Sequence, residues 1–214
     1  MDVQNVAIVE KREPVNLYVT NSDMSSSVLK LKKHKIYYPD IWESYVIACQ
    51  GETIDGIVGK STNPKAYNFL TIDIQGAELL ALEGAQETLN HIHAINVEVN
   101  FEELYAGCAL ISDIDVFLAA RGFTRVATVC SFHPSRGDAF YLATRTFFCC
   151  NLSSLKDRRF IRGLQNRTQP RRVLSSFLRF DAVYRSREDR MLGPKPNTLI
   201  VNPCAPPFHL VVYS

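Results

Sequence analysis

Phe69–Leu82, FLTIDIQGAELLAL, changes its hydrophobic period midway. Phe69-Leu70-Thr71-Ile72 is a short apolar run with β-branched residues, which predicts a buried strand. Gln75 and Gly76 interrupt it. From Ala77 onward the apolar residues recur at helical spacing, Leu79 and Leu82 and then Leu89, with Glu78, Glu83 and Glu87 expected on a solvated face. A strand, a glycine-bearing turn and an amphipathic helix make half of a βαβ unit. Ligands of open parallel sheets sit beyond the carboxyl ends of the strands, where Asp73, Gln75 and Gly76 fall. Glycine allows a tight turn or close approach of backbone to ligand, and Glu78 in the first helical turn suits the dipole. Alone, D-x-Q-G-x-E is equally compatible with plain turn chemistry.

The 214 residues, 46% hydrophobic and 21% charged, are the composition of an ordinary globular protein. No apolar run is long enough to span a bilayer, and the first residues lack the pattern of a secretory signal. The six cysteines form no C-x-x-C pair, and the adjacent Cys149-Cys150 lacks partner spacing. Reduced thiols, a cytoplasmic location and no metal site are expected. Residues 1–144 carry 11 Lys/Arg against 18 Asp/Glu, whereas residues 145–214 carry 13 against 4. The expected division is therefore a domain over 1–144 and a basic, Pro/Arg-rich extension over 145–214. That extension is expected to be loosely ordered, with one helix near Val173–Phe180. Aromatic residues interleave only thinly with its charges, and nucleic acid is not expected as a partner.

Along the first region, Val6–Glu10 and Val15–Thr20 predict a hairpin turning at Lys11–Pro14. Asn21–Ser27 reads as a polar loop, and the run from Lys30 to Lys35 as a solvated basic face or a contact for an anionic substrate. Further strands are expected at Tyr45–Cys49, Ala94–Val99, Phe123–Val129 and Ala139–Ala143. Helices are expected at Thr53–Val58, with Thr53 as cap, and at Ala77–Asn90. Another should start at Ser112, capped with Asp115, and stop at Gly122. Glu98 and Asn100 end the second central strand, where a half-buried acid demands a partner or ligand.

Several pieces in order resemble the FkbM-type methyltransferases. They are Asn16–Thr20 with Ser25-Ser26-Ser27, Thr53-Ile54-Asp55, and Phe69 through Glu78 with Leu82-Glu83-Gly84-Ala85. Glu98-Val99-Asn100, Leu104-Tyr105, Gly122-Phe123 and Gly137–Tyr141 complete the series. The resemblance spans roughly residues 5–143. It implies a Rossmann-like class I methyltransferase fold of α/β class with strand order 3-2-1-4-5-7-6, and S-adenosylmethionine as cofactor. The glycine-rich cofactor turn of that family, and the strands 1 and 2 around it, find no counterpart in the sequence, so an incomplete sheet is expected. Its open edge beside Phe69–Asp73 would be filled by Val6–Glu10 and Val15–Thr20, or would drive self-association.

On this reading the activity is O-methylation of a small molecule or sugar. Asp73 and Gln75 are the candidate catalytic residues. Gly76, Glu98 and Asn100 are candidates for the cofactor, and Ser25, Ser26 and Ser27 for the substrate. The rival expectation is a catalytically inactive, truncated methyltransferase-like chain that serves as a binding or interaction module.

Overall fold

The computed structural model describes residues 2–4, 6–130, 133–145, 198–201 and 209–213, and only the backbone of 2–4, 198–201 and 209–213. The expected helix near Val173–Phe180 lies outside the described residues, as does most of the extension that begins at residue 145.

The strands are β1 (Asp2–Gln4), β2 (Ala7–Ile8), β3 (Pro14–Thr20), β4 (Glu43–Glu52) and β5 (Phe69–Asp73). They continue with β6 (Ala94–Asn100), β7 (Phe123–Val129), β8 (Arg136–Ala143), β9 (Thr198–Val201) and β10 (His209–Tyr213). The main sheet runs β1-β9-β10-β5-β6-β8-β7, and a smaller one runs β2-β4-β3. β5 and β6 are parallel, while β8 is antiparallel to both β6 and β7. This half has the 4-5-7-6 order that the family resemblance implies. Leu70, Ile72, Ile95, Val97 and Val99 are fully buried. They form the core with Leu82, Ile114 and Leu118 of the helices.

Among the described residues four α-helices accompany the sheets: α1 (His34–Tyr37), α2 (Ile54–Val58), α3 (Glu78–Glu83) and α4 (Ile111–Ala119). α2 starts as expected, with the Thr53 hydroxyl accepting from the Gly56 N–H. α3 is much shorter than the expected helix to Asn90. Asp55 accepts the N–H groups of Glu87 and Thr88 at 2.9 and 2.8 Å, drawing those donors from the helical ladder. Gly84 also passes so close to Val9 that a Cβ would stand 2.6 Å from its carbonyl oxygen. α4 starts one residue before Ser112, and its N-cap is Leu110, whose N–H donates to the Asp113 carboxylate at 2.8 Å. Asp115 instead receives Arg125 and the Tyr141 hydroxyl.

The expected hairpin is not formed. β4 lies between the two strands, parallel to β2 and antiparallel to β3. Gly51 makes this crossing possible. Its N–H reaches the Glu13 carbonyl at 2.8 Å, where a Cβ would stand 2.4 Å from that oxygen. Neither β2 nor β3 covers the edge of β5. That edge is paired antiparallel with β10, His209 facing Asp73 and Tyr213 facing Phe69. The edge suggested for self-association is thus not open at β5, and two short strands of the expected extension belong to the sheet. Among the described residues no helix is long and apolar enough to cross a membrane.

Candidate functional site

β5 delivers Asp73 to its carboxyl end, and the chain then turns through two successive left-handed residues, Gln75 at φ 57° and Gly76 at φ 97°. A non-glycine residue there is strained and persists only where its surroundings hold it. Three contacts do so. Glu78 Oε1 accepts the N–H groups of Ile74 and Gly76 at 3.1 and 3.0 Å. Tyr105 packs its ring against Gly76, where a Cβ would lie 2.8 Å from the ring. Its hydroxyl donates to Gln75 Oε1 at 2.9 Å. Glu78, expected on a solvated face, is therefore 1% exposed. Burial, with the Asp73 charge nearby, pushes its carboxyl up to about 7.

With Oε1 committed to Tyr105, the Gln75 amide nitrogen faces two carboxylates. It donates to Asp73 Oδ1 at 2.6 Å and to Glu98 Oε2 at 3.2 Å. Arg136 at the start of β8 pairs with Glu98 Oε1 at 3.2 Å. Even so, burial and the charges of Asp73 and Glu78 hold the Glu98 carboxyl well above the usual range. Burial and Asp73 likewise raise Asp138. These groups face a cleft of about 280 Å³ whose lining also includes Ser25, His34 and Tyr38. That volume is at the small end of ligand sites, which begin at roughly 300 Å³.

Of the residues singled out by sequence, Asp73, Gln75, Glu98 and Ser25 converge on this cleft. Gly76 lies behind the turn against Tyr105. Asn100 is 1% exposed and does not line the cleft, and neither of its amide atoms has a partner among the described residues. Ser26 and Ser27 hold the loop itself, accepting the N–H groups of Thr20 and Leu29, each at 3.0 Å. They border a separate small recess with Ile8, Val28 and Ile74.

Sequence reasoning missed His34, Tyr38, Arg136 and Asp138 in the cleft, and Tyr105 and Glu78 behind it. His34 stands within a lysine run that suggested a solvated face, yet it is 2% exposed. Its ring packs beside Tyr38 and Tyr105. Burial, reinforced by Arg136, lowers it to about 4, so the imidazole is neutral at neutral pH. The flanking lysines pair outward, Lys32 with Glu103, Lys33 with Glu102 and Lys35 with Glu43. They are not in the cleft. His133, the loop histidine, bonds Ser135 and packs on Tyr37 instead of facing the site. Among the described residues no three His, Cys, Asp or Glu side chains are placed to hold a metal ion.

Residues 3–125 match the family model described as Methyltransferase FkbM domain. No curated protein and no solved structure matches the chain.

Proposed function

Since the chain belongs to the FkbM methyltransferase family, a Rossmann-like group that uses S-adenosylmethionine, we propose that the cleft beyond β5 and β6 takes the methyl acceptor. The acceptor is a hydroxyl-bearing small molecule or sugar, and the reaction is O-methylation. The observation that carries this reading is the left-handed Gln75, which spans Asp73 and Glu98 and turns both toward one cavity. Backbone strain held by several independent contacts is a signature of a functional turn.

In this reading the Asp73 carboxylate accepts a hydrogen bond from the acceptor hydroxyl, orients its oxygen and takes up its proton as the oxygen becomes nucleophilic. Gln75 fixes the Asp73 oxygen that does so. Glu98 accepts from both Gln75 and Arg136 and so holds the two side chains at the cleft. Ser25 closes the cleft from the polar loop. Catalysis of this kind is mainly positioning.

S-adenosylmethionine needs more than these walls. The carboxylates suit its sulfonium charge. Its nucleoside and amino-acid parts call for a strand followed by a glycine turn beside β5, and the strand there is β10, antiparallel. The sequence contains no G-x-G. The described residues therefore do not fit the whole cofactor. That mismatch supports a second reading, an acceptor-binding module without methyl transfer of its own.

Calorimetric titration of the full chain with S-adenosylhomocysteine separates the two. Saturable one-to-one binding supports the enzyme. A folded sample that gives no heat supports the module.

A further inference from the structure

The lining of the cleft is lopsided in hydrogen-bonding character. Its acceptors are the carboxylates of Asp73, Glu98 and Asp138, together with the neutral imidazole of His34. His34 is 2% exposed, and its Nδ1 has no partner among the described residues. Ser22, Ser25 and Tyr38 bring hydroxyls that donate or accept, and the nitrogen donors belong to Gln75 and Arg136. The Gln75 amide nitrogen serves Asp73 and Glu98, and Arg136 serves Glu98, with one buried Nε–H of Arg136 unpartnered among the described residues. Three carboxylates thus face one guanidinium. The neighbouring lysines, tied to Glu43, Glu102 and Glu103, add no positive charge to the lining.

A set of converging carboxylates attracts a cation, and the spacing here does not suit a metal ion. An ammonium group answers both features. It carries positive charge and three N–H donors, and it takes carboxylate and imidazole acceptors without a fixed coordination geometry. Arg136 has N–H groups beyond the one bonded to Glu98, and these serve a hydroxyl oxygen.

We propose that the acceptor taken by this cleft carries a protonated amine beside its hydroxyl groups, an amino alcohol of the amino-sugar type. The ammonium lies between Asp73, Asp138 and His34. Phosphorylated or carboxylated acceptors are repelled. This rests on the cleft being the acceptor site.

Trp42 supplies the reporter. It is the single tryptophan of the chain, 57% exposed, and adjacent to Ile41 of the cleft lining. Its backbone N–H and carbonyl both bond Asn21, at the root of the loop that carries Ser25. The full chain is titrated with glucosamine, N-acetylglucosamine, glucose and glucosamine 6-phosphate at slightly acidic pH, by calorimetry and Trp42 fluorescence. Glucosamine is expected to bind about tenfold more tightly than glucose, with the N-acetylated and phosphorylated forms weaker than glucosamine. Asp73→Asn, which keeps the oxygen that accepts from Gln75, should bring glucosamine to parity with glucose, and Asp138→Asn should narrow the gap.

Equal binding of glucose and glucosamine overturns the amine assignment and leaves the acceptor cleft standing. No response to any of the four overturns both. The sulfonium of S-adenosylmethionine is the other organic cation these carboxylates could meet. If Asp73→Asn weakens S-adenosylmethionine relative to S-adenosylhomocysteine while glucosamine binding is unchanged, the carboxylates serve the sulfonium and the proposal fails.

Discussion

Gly76→Ala is the sharpest perturbation of the turn between β5 and α3. The residue sits at φ 97°, outside the range that alanine adopts without cost. A left-handed backbone costs an L-residue about 1–2 kcal/mol. The added methyl would meet the Tyr105 ring at 2.8 Å and its Cβ at 3.0 Å. Tyr105 is 1% exposed, so the ring has no solvent to retreat into. Overpacking of this kind costs about 1–3 kcal/mol. Together the two effects predict a loss of about 2–5 kcal/mol in unfolding free energy. Displacing the ring also pulls its hydroxyl from Gln75 Oε1, so the Gln75 amide is no longer held against Asp73 and Glu98. Urea unfolding followed by far-ultraviolet circular dichroism measures the first effect, and acceptor binding to the folded fraction measures the second. A stability loss under about 1 kcal/mol, below the cost of the backbone alone, would refute the argument that glycine is required here.

Glu78→Gln tests the buried acid. Its folded-state pKa of about 7 lies above the usual 4.5, so the wild-type contribution is present below about 4.5 and declines as pH rises through 7. Glutamine keeps an acceptor for the Ile74 and Gly76 N–H groups. The variant's stability should therefore stay flat over that window and exceed wild type by about 3 kcal/mol at alkaline pH. Tyr105→Phe leaves Gln75 Oε1 buried without its 2.9 Å donor and should cost about 1–2 kcal/mol by the same urea assay. Asp55→Ala removes the acceptor of the Glu87 and Thr88 N–H groups. Its cost should be about 1–2 kcal/mol, with faster amide hydrogen exchange at both positions.

The parallel pair β5–β6, the strand β7 and the stop at Gly122 were legible because each is a local pattern: a buried apolar run, or a glycine after a periodic stretch. The length of α3 was not legible. The apolar period runs on to Leu89, and it is Asp55, more than thirty residues earlier, together with the close passage of Gly84 against Val9, that ends the helix. The hairpin failed for a similar reason, since β4 is supplied from beyond the polar loop and intervenes between two strands that are neighbours only in sequence. At the site, Asp73, Gln75 and Glu98 could be found because they end central strands or follow them directly. Ser26 and Ser27 stand outside the cleft lining, their hydroxyls accepting from the backbone N–H groups of Thr20 and Leu29. His34 was concealed by the lysines around it, whose charges point to Glu43, Glu102 and Glu103 and away from the cleft.

What the sequence determined by itself is the strand–turn–helix that opens in Phe69–Leu82 and the resemblance to the family whose model matches residues 3–125. These follow from periodicity and from side chains a few positions apart. Tertiary structure alone decided that Tyr105 holds Gln75 in a left-handed conformation, and that His34, Arg136 and Asp138 close the cleft. It also decided that β10 covers the edge of β5. Each of these depends on groups far apart in the chain coming within a few ångströms, and no local pattern encodes that.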